Sequence, residues 1–301
     1  MSHPNALATP IQSGDSPAGL GFAISAYVLW GFLPLYMKLV AHIPSAEVVA
    51  HRVIWSVPIA AAVLVVLGRT GDIRAALSSP RTILLGCLTA GLISINWGIY
   101  VWSIANDQAL EAALGYYINP LFSMFLGAVF LGERLNRLQL VAIALAASAV
   151  LVLTFDRGGL PVVALALTLT WGLYALCKKS LPIGPNQGFL LEVLILLFPA
   201  LAYWGWLEST GASHFTVSGG DVWLLLGCGV VTAVPLLLYA NGAKRLRLTT
   251  IAILQYIAPT MIFLVAVFLF DEPFGQARAI AFPMIWAAVA IYLLSVFRRR
   301  R

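Results

Sequence analysis

The sequence predicts an all-α polytopic membrane protein, with ten transmembrane helices arranged as two inverted five-helix repeats. Three observations predict this. Only about 10% of the 301 residues are charged and 61% are apolar, whereas soluble domains carry roughly 25% charge. The apolar residues gather into ten runs, each near the roughly 20 residues that a helix needs to cross a hydrocarbon core of about 30 Å. Motifs in the first half recur in the same order in the second. So few charges cannot cover the surface of a soluble protein of this size, which excludes a cytosolic enzyme, a disordered chain and a nucleic-acid binder.

Residues 1–18 are polar, contain no Lys or Arg, and are expected to form a disordered cytoplasmic N-terminus. Without a basic leader region, the first span is expected to remain uncleaved. Span 1 (19–38) carries Tyr27, Trp30, Pro34 and Lys38 on one helical face. Span 2 (48–67) has His51 and Arg52 near its start. Span 3 (83–104) presents Asn96, Tyr100 and Ser103, and span 4 (112–131) presents Tyr116, Asn119 and Ser123, with Tyr117 and Pro120 alongside. Span 5 (137–155) shows no polar stripe and is expected to be an outer or dimer-forming helix. Span 6 (160–178) aligns Trp171, Tyr174 and Lys178, and span 7 (188–207) holds Glu192 about five residues in. Span 8 (222–243) aligns Thr232, Pro235 and Tyr239. Span 9 (250–270) aligns Gln255 and Pro259, with Tyr256 one step off the stripe. Span 10 (277–297) resembles span 5. None of these runs alternates as a membrane strand would, and helices satisfy their own backbone groups in lipid.

Charge placement sets the orientation. Of the eighteen Lys and Arg, fourteen fall on the side that holds the N-terminus, the even-to-odd loops and the C-terminal Arg298 to Arg301 run; only Lys38, Arg52, Arg157 and Arg278 do not. The positive-inside bias places both termini in the cytoplasm, with residues 298–301 as a basic tail near anionic lipid.

The halves align with each other. At a shift of 141 residues, Trp30-Gly31 falls on Trp171-Gly172, Lys38 on Lys179, Pro58 on Pro199 and Gly86-Cys87 on Gly227-Cys228. At a shift of 139, Tyr117 falls on Tyr256, Pro120 on Pro259 and Glu133 on Glu272. The repeats are expected to span 19–156 and 157–297. Five spans per half is an odd number, so the second copy enters the membrane upside down. That is the plan of secondary transporters that bind solute near the midplane between copies.

Polar groups in hydrocarbon are costly and face a bundle interior or cavity. The striped spans 1, 3, 4, 6, 8 and 9 are therefore expected to line one cavity through Trp30, Asn96, Tyr100, Tyr116, Tyr117, Asn119, Trp171, Tyr174, Tyr239, Gln255 and Tyr256. Aromatic faces with a few amides suit an organic solute better than a bare ion. His51, Arg52 and Glu192 are candidates for coupling or gating, with interhelical hydrogen bonding as the alternative. Pro120 and Pro259 each remove a backbone donor and are expected to bend matched helices at the carbonyls of Tyr116 and Gln255. Glu47, Asp107 and Glu111 are expected at the outer ends, as a mouth or a solvated rim, and Glu133 and Glu272 as turn or gate residues. No GxxxxGK[ST], HExxH or GxSxG motif is present, and Cys87, Cys177 and Cys228 form no CxxC pair, so no cofactor or metal and no catalytic group are expected.

Several stretches carry a family resemblance. His51-Arg52-Val53-Ile54-Trp55-Ser56, Leu114-Gly115-Tyr116-Tyr117-Ile118-Asn119-Pro120 with Leu131-Gly132-Glu133-Arg134, and Arg245-Leu246-Arg247-Leu248 followed by Gln255-Tyr256-Ile257 and Pro259 resemble RarD proteins. These form part of the EamA-type branch of the drug/metabolite transporter superfamily. The likeness runs from about Gly19 to Phe297, and Glu192 falls where RarD relatives have a glutamate. The resemblance implies a ten-helix bacterial inner-membrane transporter whose central cavity is lined mainly by helices 1, 3, 4, 6, 8 and 9, in agreement with the stripes. RarD members are labelled chloramphenicol-sensitivity or resistance permeases. The expected function is a secondary transporter, an exporter of small organic metabolites or drugs, with proton coupling at Glu192 or His51. The expected partners are a solute, the lipid bilayer and a second copy of the chain, and no nucleic acid. The alternative is a membrane sensor or scaffold with no transport cycle.

Overall fold

A computed structural model describes residues 15–68, 70–132, 134–216 and 219–298. Among the described residues there are twelve helices and no strand. They are α1 (Pro17–Leu39), α2 (Ser45–Val66), α3 (Gly71–Leu77), α4 (Pro80–Ala105), α5 (Ala109–Leu131), α6 (Arg137–Arg157), α7 (Val162–Lys179), α8 (Pro185–Thr210), α9 (Gly219–Ala243), α10 (Leu248–Leu254), α11 (Ile257–Phe268) and α12 (Gln276–Arg298). Among the described residues, ten stretches are long and apolar enough to cross a membrane, α10 and α11 together supplying one of them. Each lies within about three residues of its expected bounds. The seven-residue α3 was not expected.

Local chemistry starts and stops these helices. Ser16 caps α1 by accepting the Gly19 N–H at 3.0 Å, with Pro17 in the first turn. Ser79 and Pro80 repeat the device at α4. Asn136 and Gln139 form a reciprocal capping box at α6, which satisfies two donors that the first turn leaves open. Gly132 closes α5 in the left-handed conformation, at φ 67°. Its counterpart at the 139-residue shift, Asp271, is also left-handed, at φ 51°.

The proline expectation divides. Span 9 breaks into α10 and α11 at Gln255 and Tyr256, and Pro259 lies in the first turn of α11. Proline has no N–H to offer the Gln255 carbonyl, and its ring crowds that carbonyl. Pro120 lies inside α5, which runs unbroken from Ala109 to Leu131. Only one half therefore carries an interrupted helix.

Helix neighbours stay the same when the halves are exchanged. α1 packs on α9 and α11 as α7 packs on α4 and α5, and α2 packs on α9 as α8 packs on α4. The counterpart pairs α2 with α8, α5 with α11, and α6 with α12 pack directly on one another. Small residues permit the closest approaches. A Cβ on Gly229 of α9 would fall 2.4 Å from the Trp55 backbone of α2. Lipid gives helices no hydrophobic reason to associate, so such close packing carries much of the cohesion.

The helix ends are tied by polar contacts. At one end Lys38 pairs with Asp107 at 2.5 Å, and His42 with Asp221 at 2.9 Å. Glu47 is fully buried at that end, where it accepts the His214 backbone N–H at 2.7 Å and lies 2.8 Å from His214 Nδ1. This corrects the expectation of a solvated rim at Glu47: the carboxylate holds down the segment after α8. Glu111 is also buried. At the opposite end Asp15 binds Arg247 through its backbone N–H (2.8 Å) and Nη2 (2.7 Å), and these bonds hold the Asp15 carboxyl well below the usual range. Residues 15–18, part of the segment expected to be disordered, are therefore held in place. The expectations for residues 1–14, for Glu133 and for Arg299 to Arg301 lie outside the described residues.

Candidate functional site: a cavity between the halves

The polar stripes converge on one cavity. All six striped spans contribute. α1 supplies Tyr27, Trp30 and Leu33, and α4 supplies Asn96, Trp97 and Tyr100. α5 supplies Tyr116 and Asn119, and α7 supplies Trp171. α9 supplies Thr232, Leu236 and Tyr239, and the broken span supplies Gln255, Ala258, Pro259 and Ile262. α2 adds Arg52. Trp30 and Trp171, one from each half and related by the 141-residue shift, face the same space.

Aromatic rings form two walls. Tyr27, Trp30 and Tyr239 make a mutual cluster with centroids 5.6 to 5.8 Å apart. Across the cavity, Tyr100 packs on Tyr116 at 5.8 Å, and Tyr116 meets the edge of Trp171 at 6.5 Å. Such tilted and edge-to-face pairs are favourable ring geometries, and they hold the walls in place without closing the space between them.

Polar groups punctuate the walls. Asn96 Nδ2 donates to Leu167 O at 3.1 Å and to Thr170 Oγ1 at 2.8 Å, which fixes the amide across α4 and α7. The Asn96 Oδ1, Tyr100 hydroxyl and Asn119 Oδ1 atoms are buried without a hydrogen-bond partner among the described residues. Buried polar atoms normally find partners. Three such atoms come together on the wall of this cavity. Arg52 is 3% exposed. Its Nε donates to Thr232 Oγ1 at 2.9 Å, and its guanidinium lies 4.9 Å from the Trp97 ring centroid. The Thr232 hydroxyl in turn donates a hydrogen bond to Cys228 O at 2.7 Å.

Three expected lining residues lie elsewhere. Tyr117 and Tyr256 do not line the cavity. They stack on each other at 6.2 Å between α5 and the broken span, and the Tyr117 hydroxyl lies 2.8 Å from Thr260 Oγ1. Each stands one position from a lining residue, Tyr116 or Gln255, and one position turns a side chain about 100° around a helix. Tyr174 packs on Trp171 at 5.7 Å, but its hydroxyl turns away to donate to Glu192 Oε2 at 3.2 Å.

Of the proposed coupling residues, Arg52 and Pro259 line the cavity and the others do not. Glu192 is 1% exposed and pairs with Lys178 Nζ at 2.6 Å. His51 lies in an aromatic box made by Trp55, Trp204 and Phe215. Its Nδ1 accepts the Trp55 indole N–H at 3.0 Å. Pro120 is absent from the lining. Trp97 is the principal lining residue that the stripes missed. It sits next to Asn96, off the polar face, and its signal is an aromatic ring within one position of a stripe.

Comparison with known proteins agrees with this architecture. Residues 17–155 match the EamA-like transporter family. The chain is 41% identical over 298 residues to the uncharacterized transporter YojE of Bacillus subtilis (strain 168), covering 97% of this chain and 98% of that one. It is 37% identical over 285 residues to Protein RarD of Escherichia coli (strain K12), covering 94% and 96%. A solved protein chain, 19% identical, superposes with a TM-score of 0.62 over 96% of this chain and all of that one, which shows the shared fold.

Proposed function

The chain belongs to the RarD branch of the EamA-like transporter family, and from that premise we propose that it exports small organic solutes across the bacterial inner membrane by alternating access around the central cavity. It is a multi-pass membrane protein, and its relatives are named as transporters. One observation carries the proposal: matched residues from the two halves, Trp30 and Trp171, line one compartment. Two copies in opposite senses can exchange conformations, so an inward-open state has an outward-open relative of similar energy. In this reading the break at Gln255 and Tyr256, beside the cavity, serves as the hinge. Both termini lie in the cytoplasm in this reading, on the side that collects fourteen of the eighteen Lys and Arg.

Proton coupling enters through Glu192. Its carboxylate is paired with Lys178, and taking up a proton would release the amine and loosen the link between α7 and α8. The reading is tested by solute flux in proteoliposomes with Asn96→Ala, Tyr116→Ala and Trp171→Ala. Each is expected to reduce flux at least tenfold while inserting normally. Unchanged flux in all three would overturn the cavity as the transport site.

A further inference from the structure

Arg52 is an unusual group for a cavity wall. Among the described residues that line the space it is the charged one. No carboxylate lies within salt-bridge distance of it among the described residues. Its Nε is satisfied by Thr232, its face rests on Trp97, and its Nη1 is buried without a partner. A buried charge is ordinarily paired, because water that would stabilise it has been removed. An Arg fork also matches a carboxylate or similar oxyanion through two parallel hydrogen bonds.

The rest of the cavity fits the body of such a molecule. Tyr100 and Tyr116 line the same space as the guanidinium and pack on each other, and Trp171 extends their ring surface. An inorganic ion would leave most of this aromatic surface unused. An uncharged solute would leave the guanidinium uncompensated. We propose that the cavity takes an organic anion, with its carboxylate or equivalent oxyanion on Arg52 and a planar or aromatic body against Tyr100, Tyr116 and Trp171. This assignment rests on the cavity being the solute compartment. It makes Arg52 a binding residue for the transported molecule, in place of a gating one.

The test uses the purified full-length chain in detergent, in chloride-free buffer at pH 7, with three probes of one shape: 3-phenylpropionate, 3-phenylpropanamide and 3-phenylpropylamine. Calorimetry reads each Kd. A charge-assisted pair predicts that the carboxylate binds about tenfold or more tightly than the amide, with the amine weakest. Arg52→Gln is expected to bring the carboxylate-to-amide ratio close to one, and Arg52→Lys to retain part of it. Trp171→Ala is expected to weaken carboxylate and amide alike. The wild-type ranking does not depend on any variant folding: an amide or amine that binds as tightly as the carboxylate, or failure of all three to bind, overturns the proposal. Carboxylate-selective binding without flux in proteoliposomes would sink the transport reading and leave the anion site standing. Flux that favours the amide or amine would do the reverse.

Discussion

The Lys178 ammonium lies 2.6 Å from the Glu192 carboxylate, joining the end of α7 to α8 beneath the Trp171 wall of the cavity. Tyr174 adds its hydroxyl to the same carboxylate and packs on Trp171. A chain of contacts thus runs from the cavity wall to a buried ion pair.

Removal of one partner leaves the other charge buried. Lys178→Met is expected to lower stability toward the low end of about 3–5 kcal/mol, because Lys178 keeps 23% of its side chain exposed. Lys178→Met with Glu192→Gln leaves no charge and is expected to recover most of that loss. Thermal unfolding in detergent checks both. Additive losses in the double variant would show that the two groups do not act as a pair.

Coupling is a separate question from stability. In proteoliposomes with an imposed pH gradient, Glu192→Gln is expected to abolish gradient-driven flux and to retain solute exchange at equal pH. Gradient-driven flux at the wild-type rate would remove Glu192 from the coupling mechanism.

Glu272, in the segment between α11 and α12, accepts the backbone N–H groups of Ala109 (2.5 Å) and Leu110 (3.0 Å) and so caps α5. Burial raises its carboxyl above the ordinary 4.5, against the pull of those two donors. A raised folded value means that the folded protein holds this proton more tightly than the unfolded chain does. The stabilisation is complete below the ordinary carboxylate value and is lost as pH rises through the raised one. Glu272→Gln is expected to flatten that part of the profile of unfolding temperature against pH, and Glu272→Ala to cost about 1 kcal/mol through the lost cap. Parallel profiles for wild type and Glu272→Gln would place the pH dependence elsewhere.

Gly229 allows α9 to touch α2, since an added Cβ would meet the Trp55 backbone at 2.4 Å. Backbone cannot swing aside as a side-chain tip can. Gly229→Ala is expected to destabilise by about 1–3 kcal/mol and to shift Arg52 away from Thr232. Gly205→Ala in α8 meets nothing within 4 Å and is the control, expected to be neutral or to stabilise by up to about 1 kcal/mol. Equal melting temperatures for the two variants would contradict the close approach.

Tyr117→Phe removes the bond to Thr260 and is expected to lower stability by about 1 kcal/mol while leaving flux intact. Tyr116→Ala is expected to lower flux. A reversal of these two phenotypes would return Tyr117 to the lining and remove Tyr116 from it.

The ten membrane-crossing stretches, the helical class and the recurrence of Trp30-Gly31 at Trp171-Gly172 could be read from residue order alone, because span length, hydropathy and repetition are properties of a linear string. Helical spacing also brought Trp30, Asn96, Tyr116, Trp171 and Tyr239 to one face of each helix. Tyr117 and Tyr256, one position off those faces, were nevertheless added to a cavity that they back, and Trp97, likewise one position off, was passed over. The spacing located Arg52 and Glu192 as buried charges without their company. Which of them meets a lysine and which faces the cavity with, among the described residues, no carboxylate beside it depends on the folded arrangement: Arg52 of α2 meets Thr232 of α9, far along the chain, and Glu192 of α8 meets Lys178 near the end of the preceding helix, α7. Those pairings arise only when the helices pack, since a charge in a low-dielectric interior is defined by the groups that surround it.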